Sequence, residues 1–300
     1  MNVIECKGLT KVYGRTIALN NLSFEIEENK ITGLIGRNGA GKTTLLKIIA
    51  GYFKETSGEL KVFGENPFNN LMVSANVIYL HDQMNFPTAL SLKEILNVSS
   101  TFYVNWSHEL ADRLFDYFSF QATQQYNNLS KGMKSTFNMI VGLSSRCAIT
   151  MLDEPTTGMD AAVRKDFYRA LLKDYIAYPR TILLSSHHLD EIEDLIEDIL
   201  LIKDGKELLH IQVEELKGYA IGVQGPNAHV KEWTENREVL HTKGIGPDRM
   251  YAVVKNNDSE SDIQKAKAAG LTITPISSSD ICVYLTSNTK GGIDDVFIKD

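Results

Sequence analysis

The run Gly36-Arg37-Asn38-Gly39-Ala40-Gly41-Lys42-Thr43-Thr44 constrains this chain more than any other stretch of it. Its glycines let successive backbone N–H groups turn inward and approach an anion without a clashing Cβ. Residues 31–35 before it form a short apolar strand pattern, and residues 43–49 after it carry a helical one, so the run sits where a strand turns into a helix. A helix starting near Lys42 aims the positive end of its dipole at the same place. The expected ligand is a polyphosphate, with Lys42 reaching its outer phosphates and the Thr43 hydroxyl available to Mg²⁺.

A strand–loop–helix of this kind needs an α/β core around it. Residues 77–80, 148–152 and 181–184 are apolar runs of strand length, each followed by polar residues and a helical pattern, as buried parallel strands require. Residues 3–30 alternate instead, with Leu22, Phe24 and Ile26 separated by polar positions, which predicts antiparallel strands. Residues 91–120 are mostly helical, with an apolar stripe through Leu92, Ile95, Leu96, Leu110, Leu114 and Phe118, and predict a helical subdomain at about 84–145 inserted into the core. After the turn signal Asp204-Gly205 the pattern changes. Strands at 219–223, 239–242, 250–254 and 271–276 and helices at 228–234 and 261–269 give the order βαββαβ, which suits a small ferredoxin-like α+β domain. The expected division is 1–212 and 213–300.

The chain's 300 residues, 43% of them hydrophobic, suffice for a large and a small domain, each with a core. Lys and Arg number 31 against 38 Asp and Glu, a formal charge of −7 and the wrong sign for gripping a phosphate backbone, so nucleic acid is not an expected partner. Cys6, Cys147 and Cys282 are scattered without a CxxC pair; neither a disulfide framework nor a zinc site is indicated, and a reducing cytoplasm fits. Residues 1–11 lack the apolar segment of a secretory leader. Apolar stretches such as 199–202 fall far short of the about 20 residues that a bilayer crossing takes. If the protein works at a membrane, the passage is expected to come from another polypeptide.

Met151-Leu152-Asp153-Glu154 closes one apolar strand with two adjacent carboxylates. Neighbouring residues on a strand point to opposite sides, so the two are expected to divide the work: Asp153 toward the metal, Glu154, already in the turn, toward an attacking water.

Asn128-Leu129-Ser130-Lys131-Gly132-Met133, shortly before that strand, resembles the LSGGQ signature of the ABC ATPases, with Lys131 replacing the first glycine and Met133 the glutamine. Ser130 also reads as a helix N-cap. The resemblance continues in the family's order over about the first two-thirds of the chain, and it implies an ABC ATPase fold: a mixed sheet with an antiparallel β subdomain and an inserted helical subdomain. It further implies that Tyr13 stacks on adenine, the favoured reading over its alternative, an aromatic of the core in this alternating segment. Gln83, just after the strand at 77–80, is implied to join the Mg²⁺ shell and to hinge the helical subdomain. Asp160, in Thr157-Gly158-Met159-Asp160, is implied to lie across a dimer contact, and His187, in Ser185-Ser186-His187, to hold the γ-phosphate and the catalytic water; His188 has no assigned role. The implied catalytic set is Glu154, His187, Lys42 and Gln83; the implied Mg²⁺ ligands are Thr43, Gln83 and Asp153.

The same resemblance implies a head-to-tail dimer, homodimeric or heterodimeric, in which ATP lies between residues 36–44 of one chain and Ser130 and Gly132 of the other. Its further partners are integral membrane permease subunits, with the chain peripheral on the cytoplasmic face. LSKGM and a C-terminal extension resemble exporters with separate permeases. An importer subunit whose C-terminal domain binds a ligand, and a soluble ABC ATPase outside transport, are the competing readings. Phe86, Phe102, Tyr103, Trp106 and Phe118 enrich the helical segment in aromatics, read either as a groove for the permease or as that subdomain's own core.

Overall fold

The structure is a computed structural model and describes residues 1–257 and 259–287. It divides into two compact units, Met1–His210 and a second that starts at Ile211. In the first, the order is β1 (Asn2–Tyr13), β2 (Thr16–Glu27), β3 (Ile31–Ile35), α1 (Lys42–Ile49), β4 (Ser57–Val62), α2 (Leu71–Asn76), β5 (Val77–Leu80), α3 (Leu92–Phe102), α4 (His108–Tyr117), α5 (Lys131–Ser145), β6 (Ile149–Asp153), α6 (Ala161–Ala177), β7 (Thr181–Ser186), β8 (Asp198–Lys203) and β9 (Lys206–Gln212), which ends just past His210. The second holds α7 (Val213–Lys217), β10 (Ala220–Pro226), α8 (Asn227–Thr234), β11 (Val239–Gly246), β12 (Arg249–Lys255), α9 (Glu260–Ala268), β13 (Thr272–Pro275) and α10 (Ser278–Thr286).

The alternation in the first segment becomes an antiparallel sheet of order β2-β1-β4, and the apolar runs become a six-stranded sheet of order β5-β6-β7-β3-β8-β9. Strands β5, β6, β7, β3 and β8 pair in parallel. Every residue of β3, β6 and β7 is buried, which is why these strands read as unbroken rather than alternating patterns. Ile4, Leu22, Ile26, Leu45, Ile48, Met151 and Leu183 share one core between the two sheets and α1. The loop at 36–44 is thereby carried at the end of a central strand, packed on both sides.

The helical insert starts with a capping box, Ser91 accepting from Glu94 N–H while the Glu94 carboxylate accepts from Ser91 N–H. Helix α5 is buried from Ser135 to Ser145. Phe137 there packs edge-on against Phe86 and Phe120, with Tyr126 tilted beside it. Phe86 therefore serves the subdomain's own core, whereas Phe102 is 69% exposed. Tyr103 and Trp106 stack on each other at 6.4 Å and stay half-buried, as does Phe118 against Tyr117.

In the second unit, β10, β11, β12 and β13 form an antiparallel sheet of order β11-β12-β10-β13. With α8 after β10 and α9 after β12, this is the split βαβ arrangement of a ferredoxin-like domain. Val223, Val230, Ala252, Val254 and Ala266 form its core.

Candidate active site

Helix α1 is preceded by its N-cap Gly41, whose φ of 110° lies in the left-handed region and where a Cβ would come within 2.6 Å of the Ala18 carbonyl oxygen. Only glycine fits there. The loop is braced from β8–β9 as well: Gly205 N–H donates to Ala40 O, and Asn20 N–H donates to Gly205 O. No side chain caps α1, and its first turn holds no acid, so its leading N–H groups are left for an anion. Lys42 is 6% exposed and donates to Gly36 O at 2.6 Å. Its Nζ lies 3.4 Å from Glu154 Oε1. Arg37, Asn38 and Gly39 are exposed at the loop's tip, Ala40 is buried and Thr44 half-buried.

Asp153, at the end of β6, is 5% exposed and holds the centre of the site. Its Oδ2 accepts from Thr43 Oγ1 at 2.8 Å and Tyr79 OH at 2.9 Å, and its Oδ1 accepts from Ser185 Oγ at 2.6 Å. Burial and the adjacent Asp153 carboxylate push the Tyr79 phenol well above its ordinary range, so it remains a donor. Ser185 Oγ in turn accepts from Glu154 N–H at 3.0 Å. That contact fixes Glu154 at φ 50°, a left-handed turn that swings its carboxylate off the strand direction. Glu154 Oε2 pairs with His187 Nδ1 at 2.7 Å. A carboxylate only accepts, so Nδ1 carries the hydrogen and Nε2 is the remaining ring nitrogen. Oε1 is buried and makes no hydrogen bond among the described residues. The His187 ring lies 3.9 Å from that of His188.

The structure thus brings Lys42, Thr43, Asp153, Glu154 and His187 together and adds Tyr79 and Ser185, to which the sequence reading gave no role. Tyr79 carried a weak signal, a phenol in a strand too buried for an unpaired hydroxyl. Ser185 becomes legible only when β6 and β7 are known to be neighbours, with Asp153 opposite Ser185. Gln83 is not brought in: it is exposed, its side chain makes no hydrogen bond among the described residues, and it does not line the cleft beside Glu154. Its backbone only donates to His81 Nδ1 and accepts from Asn85.

Tyr13 ends β1 at 42% exposure, outside the core, edge-on to Phe53 at 6.1 Å with Lys11 Nζ 5.1 Å above its ring. Lys47 of α1 lies over the same Phe53, so this aromatic pair flanks α1. Ser130 caps α5 by accepting from Met133 N–H, and Asp160 caps α6 by accepting from Ala162 and Val163 N–H. Gly132 lies so close to the turn before α6 that a Cβ would fall 2.3 Å from Gly158 O. No hydrogen bond or ion pair joins Ser130 or Gly132 to residues 36–44 among the described residues.

The donor set fits a magnesium nucleotide. Thr43 and Asp153 offer hard oxygens, and no group of three His, Cys, Asp or Glu among the described residues could hold a metal alone, so phosphate oxygens and water would complete the shell. Uncapped helix amides and a desolvated lysine beside such a pair define a P-loop nucleotide-binding protein.

Residues 19–157 match the family described as ABC transporter. The chain is 30% identical over 222 residues to the ABC transporter ATP-binding protein YtrB of Bacillus subtilis, covering 74% of this chain and 76% of that protein. It is 28% identical over 244 residues to the Nod factor export ATP-binding protein I of Cupriavidus metallidurans, covering 79% and 80%. The fold is shared with a dimeric ATP-binding cassette solved in a post-hydrolysis state with ADP and Pi, at a TM-score of 0.62, 21% identity and coverage of 70% of this chain and 98% of that one. The chain belongs to the ABC transporter family, as an ATP-binding protein of it. No helix among its described residues is long and apolar enough to cross a membrane.

Proposed function

We propose that this chain hydrolyses ATP to drive a membrane exporter whose permease is a separate polypeptide. The observation that carries the reading is Glu154, fixed by Ser185 and His187 through its amide and Oε2, with its other carboxylate oxygen turned toward Lys42 beside Asp153. Residues 36–44 cradle the phosphates through backbone N–H groups, and Lys42 supplies charge where the γ-phosphate develops it. Mg²⁺ held by Thr43 and Asp153 would neutralise phosphate charge. Glu154 Oε1 takes a proton from the attacking water, while Oε2 stays on His187, whose Nε2 is left to accept from that water. Tyr13 stacks on the base. Ser130, Gly132 and Asp160 serve the nucleotide of a partner ATPase chain, a reading supported by the lack, among the described residues, of a hydrogen bond or ion pair from Ser130 or Gly132 to this chain's own loop. The ATP-driven closure of such a pair, reversed when the γ-phosphate contacts are lost, would move the permease.

Exposed Phe102, Val104 and Val98 on the helical insert support a permease dock, and the export named for the Cupriavidus relative supports the direction. The chain would then lie on the cytoplasmic face of the membrane. Its C-terminal residues, from about 213, would act as an accessory domain. Glu154→Gln tests the chemistry: ATP binding is expected to persist while phosphate release falls by about 10²–10⁴-fold. Turnover equal to wild type would remove Glu154 from the role, and failure to co-purify with any integral membrane protein would remove the transport reading.

A further inference from the structure

Glu154 and His187 meet at 2.7 Å although each has left its strand, β6 or β7, and entered a loop. A third acid joins the two loops. Glu191 closes the single helical turn Leu189–Glu191, shortly after His187. Its Oε1 pairs with Arg164 Nη1 in the first turn of α6, and its Oε2 accepts from Thr156 Oγ1 at 3.4 Å, in the turn that follows Glu154. Thr156 Oγ1 also lies 3.4 Å from the hydroxyl of Tyr168, one helical turn beyond Arg164 on α6. Burial pushes the Tyr168 phenol up to about 12, with the nearby Glu191 and Glu154 carboxylates adding to the rise, so it keeps its proton. Because Glu191 can only accept, the hydrogens run from Tyr168 to Thr156 to Glu191. The Thr156 turn moves with Glu154, since Thr157 N–H and Oγ1 both donate to Glu154 O, at 3.2 and 2.9 Å. On the other side Ser186 Oγ accepts from His188 N–H at 2.9 Å, and Leu189 and Ile192 are buried. Asp190, next to Glu191, is exposed.

We infer that Glu191 is a positioning residue for hydrolysis: bridging Thr156 and Arg164, it sets the distance at which His187 meets Glu154. Both of its oxygens are engaged within the protein, so its part is to place other groups and not to take a proton. Arg164 supplies the charge that holds Glu191 against α6. The arginine is itself anchored, because its N–H donates to Asp160 O at 3.0 Å in the capped first turn of that helix. A partly exposed ion pair adds little to stability, whereas a misplacement of about 1 Å between reacting groups costs roughly 10² in rate. The effect of the bridge therefore falls on turnover. The inference rests on the catalytic site of the proposed function and adds to it a residue that the sequence did not single out.

The experiment measures kcat and KM for ATP, with Tm, in Glu191→Gln, Thr156→Val and Arg164→Lys, and repeats Glu191→Gln in a His187→Ala background by single-turnover phosphate release. Glu191→Gln keeps the side chain's size and removes its charge; it is expected to lower kcat about tenfold with KM within about threefold of wild type. Thr156→Val, which cuts only the tether to the Glu154 turn, is expected to lower kcat about fivefold, and Arg164→Lys, which keeps the charge, to lose less than about threefold. In the His187→Ala background Glu191→Gln is expected to change the rate less than about twofold, because a residue that acts through His187 then has nothing to place. The inference is overturned if Glu191→Gln keeps kcat within about twofold of wild type, or if its loss is as large without His187 as with it. Should Glu191→Gln lower Tm enough to leave unfolded protein at the assay temperature, Thr156→Val decides alone, and full turnover by that variant with wild-type Tm overturns the inference. Wild type that releases no phosphate from ATP would instead refute the proposed function itself.

Discussion

Ser185→Ala removes one oxygen from the interior and should disconnect both carboxylates of the site. Ser185 is fully buried; its hydroxyl donates to Asp153 Oδ1 at 2.6 Å and accepts from Glu154 N–H at 3.0 Å. Alanine leaves the Asp153 oxygen without that donor and the Glu154 amide without an acceptor. A hydrogen bond to a charged group contributes about 1.5–3 kcal/mol and a neutral one about 1 kcal/mol, so the loss is about 2–4 kcal/mol. Part of it falls on Glu154 itself, because a left-handed conformation costs a non-glycine residue about 1–2 kcal/mol and this amide contact helps hold it. Released, Glu154 would settle toward an extended conformation and carry its carboxylate away from His187. A misplacement of that order costs roughly 10² in kcat, with KM for ATP moving less than about threefold because the phosphate cradle is untouched. Urea unfolding followed by Trp106 fluorescence, in a Trp233→Phe background so that the first unit alone reports, measures the stability; phosphate release measures turnover. A variant within about 0.5 kcal/mol of wild type that keeps kcat within about twofold would refute Ser185 as the pin.

Gly132→Ala places a Cβ 2.3 Å from Gly158 O, so the turn leading to Asp160 must retreat by about 1 Å, at about 1–3 kcal/mol. ATP-dependent dimer formation by Glu154→Gln protein, read by size-exclusion chromatography, is expected to be lost in the double variant. Burial pushes the Cys6 thiol up to about 12 and the Cys147 thiol up to about 11, because an apolar surround disfavours the thiolate. Neither is expected to react with a thiol reagent at pH 8 in the folded protein, and both should react in denaturant; mass-spectrometric mapping of the label decides.

The loop at 36–44 and the acids that end β6 were legible because each lies where a buried strand stops, a boundary that local hydrophobicity marks, whereas the histidine after β7 was singled out through the family resemblance. The ferredoxin-like order of the second unit was legible for the same reason: its strands and helices alternate with clear turn signals. Phe86 and Phe102 show where that legibility ends. Both are aromatics of the same insert, yet one packs on Phe137 and the other faces outward, and no local pattern separates them. Asp82 and Gln83 repeat the lesson in a loop, where of two adjacent residues only the first lines the cleft beside Glu154.

Sequence alone determined which groups are present to bind a triphosphate, since glycines, a lysine and acids at strand ends are a matter of residue type and local spacing. The tertiary structure decided how they are wired. Strands β6 and β7 are adjacent though 27 residues separate Asp153 from Thr181, and that adjacency sets Ser185 between the two acids and Tyr79 under one of them. Parallel pairing is a long-range choice, made by how whole strands bury their faces, and no window of sequence contains it.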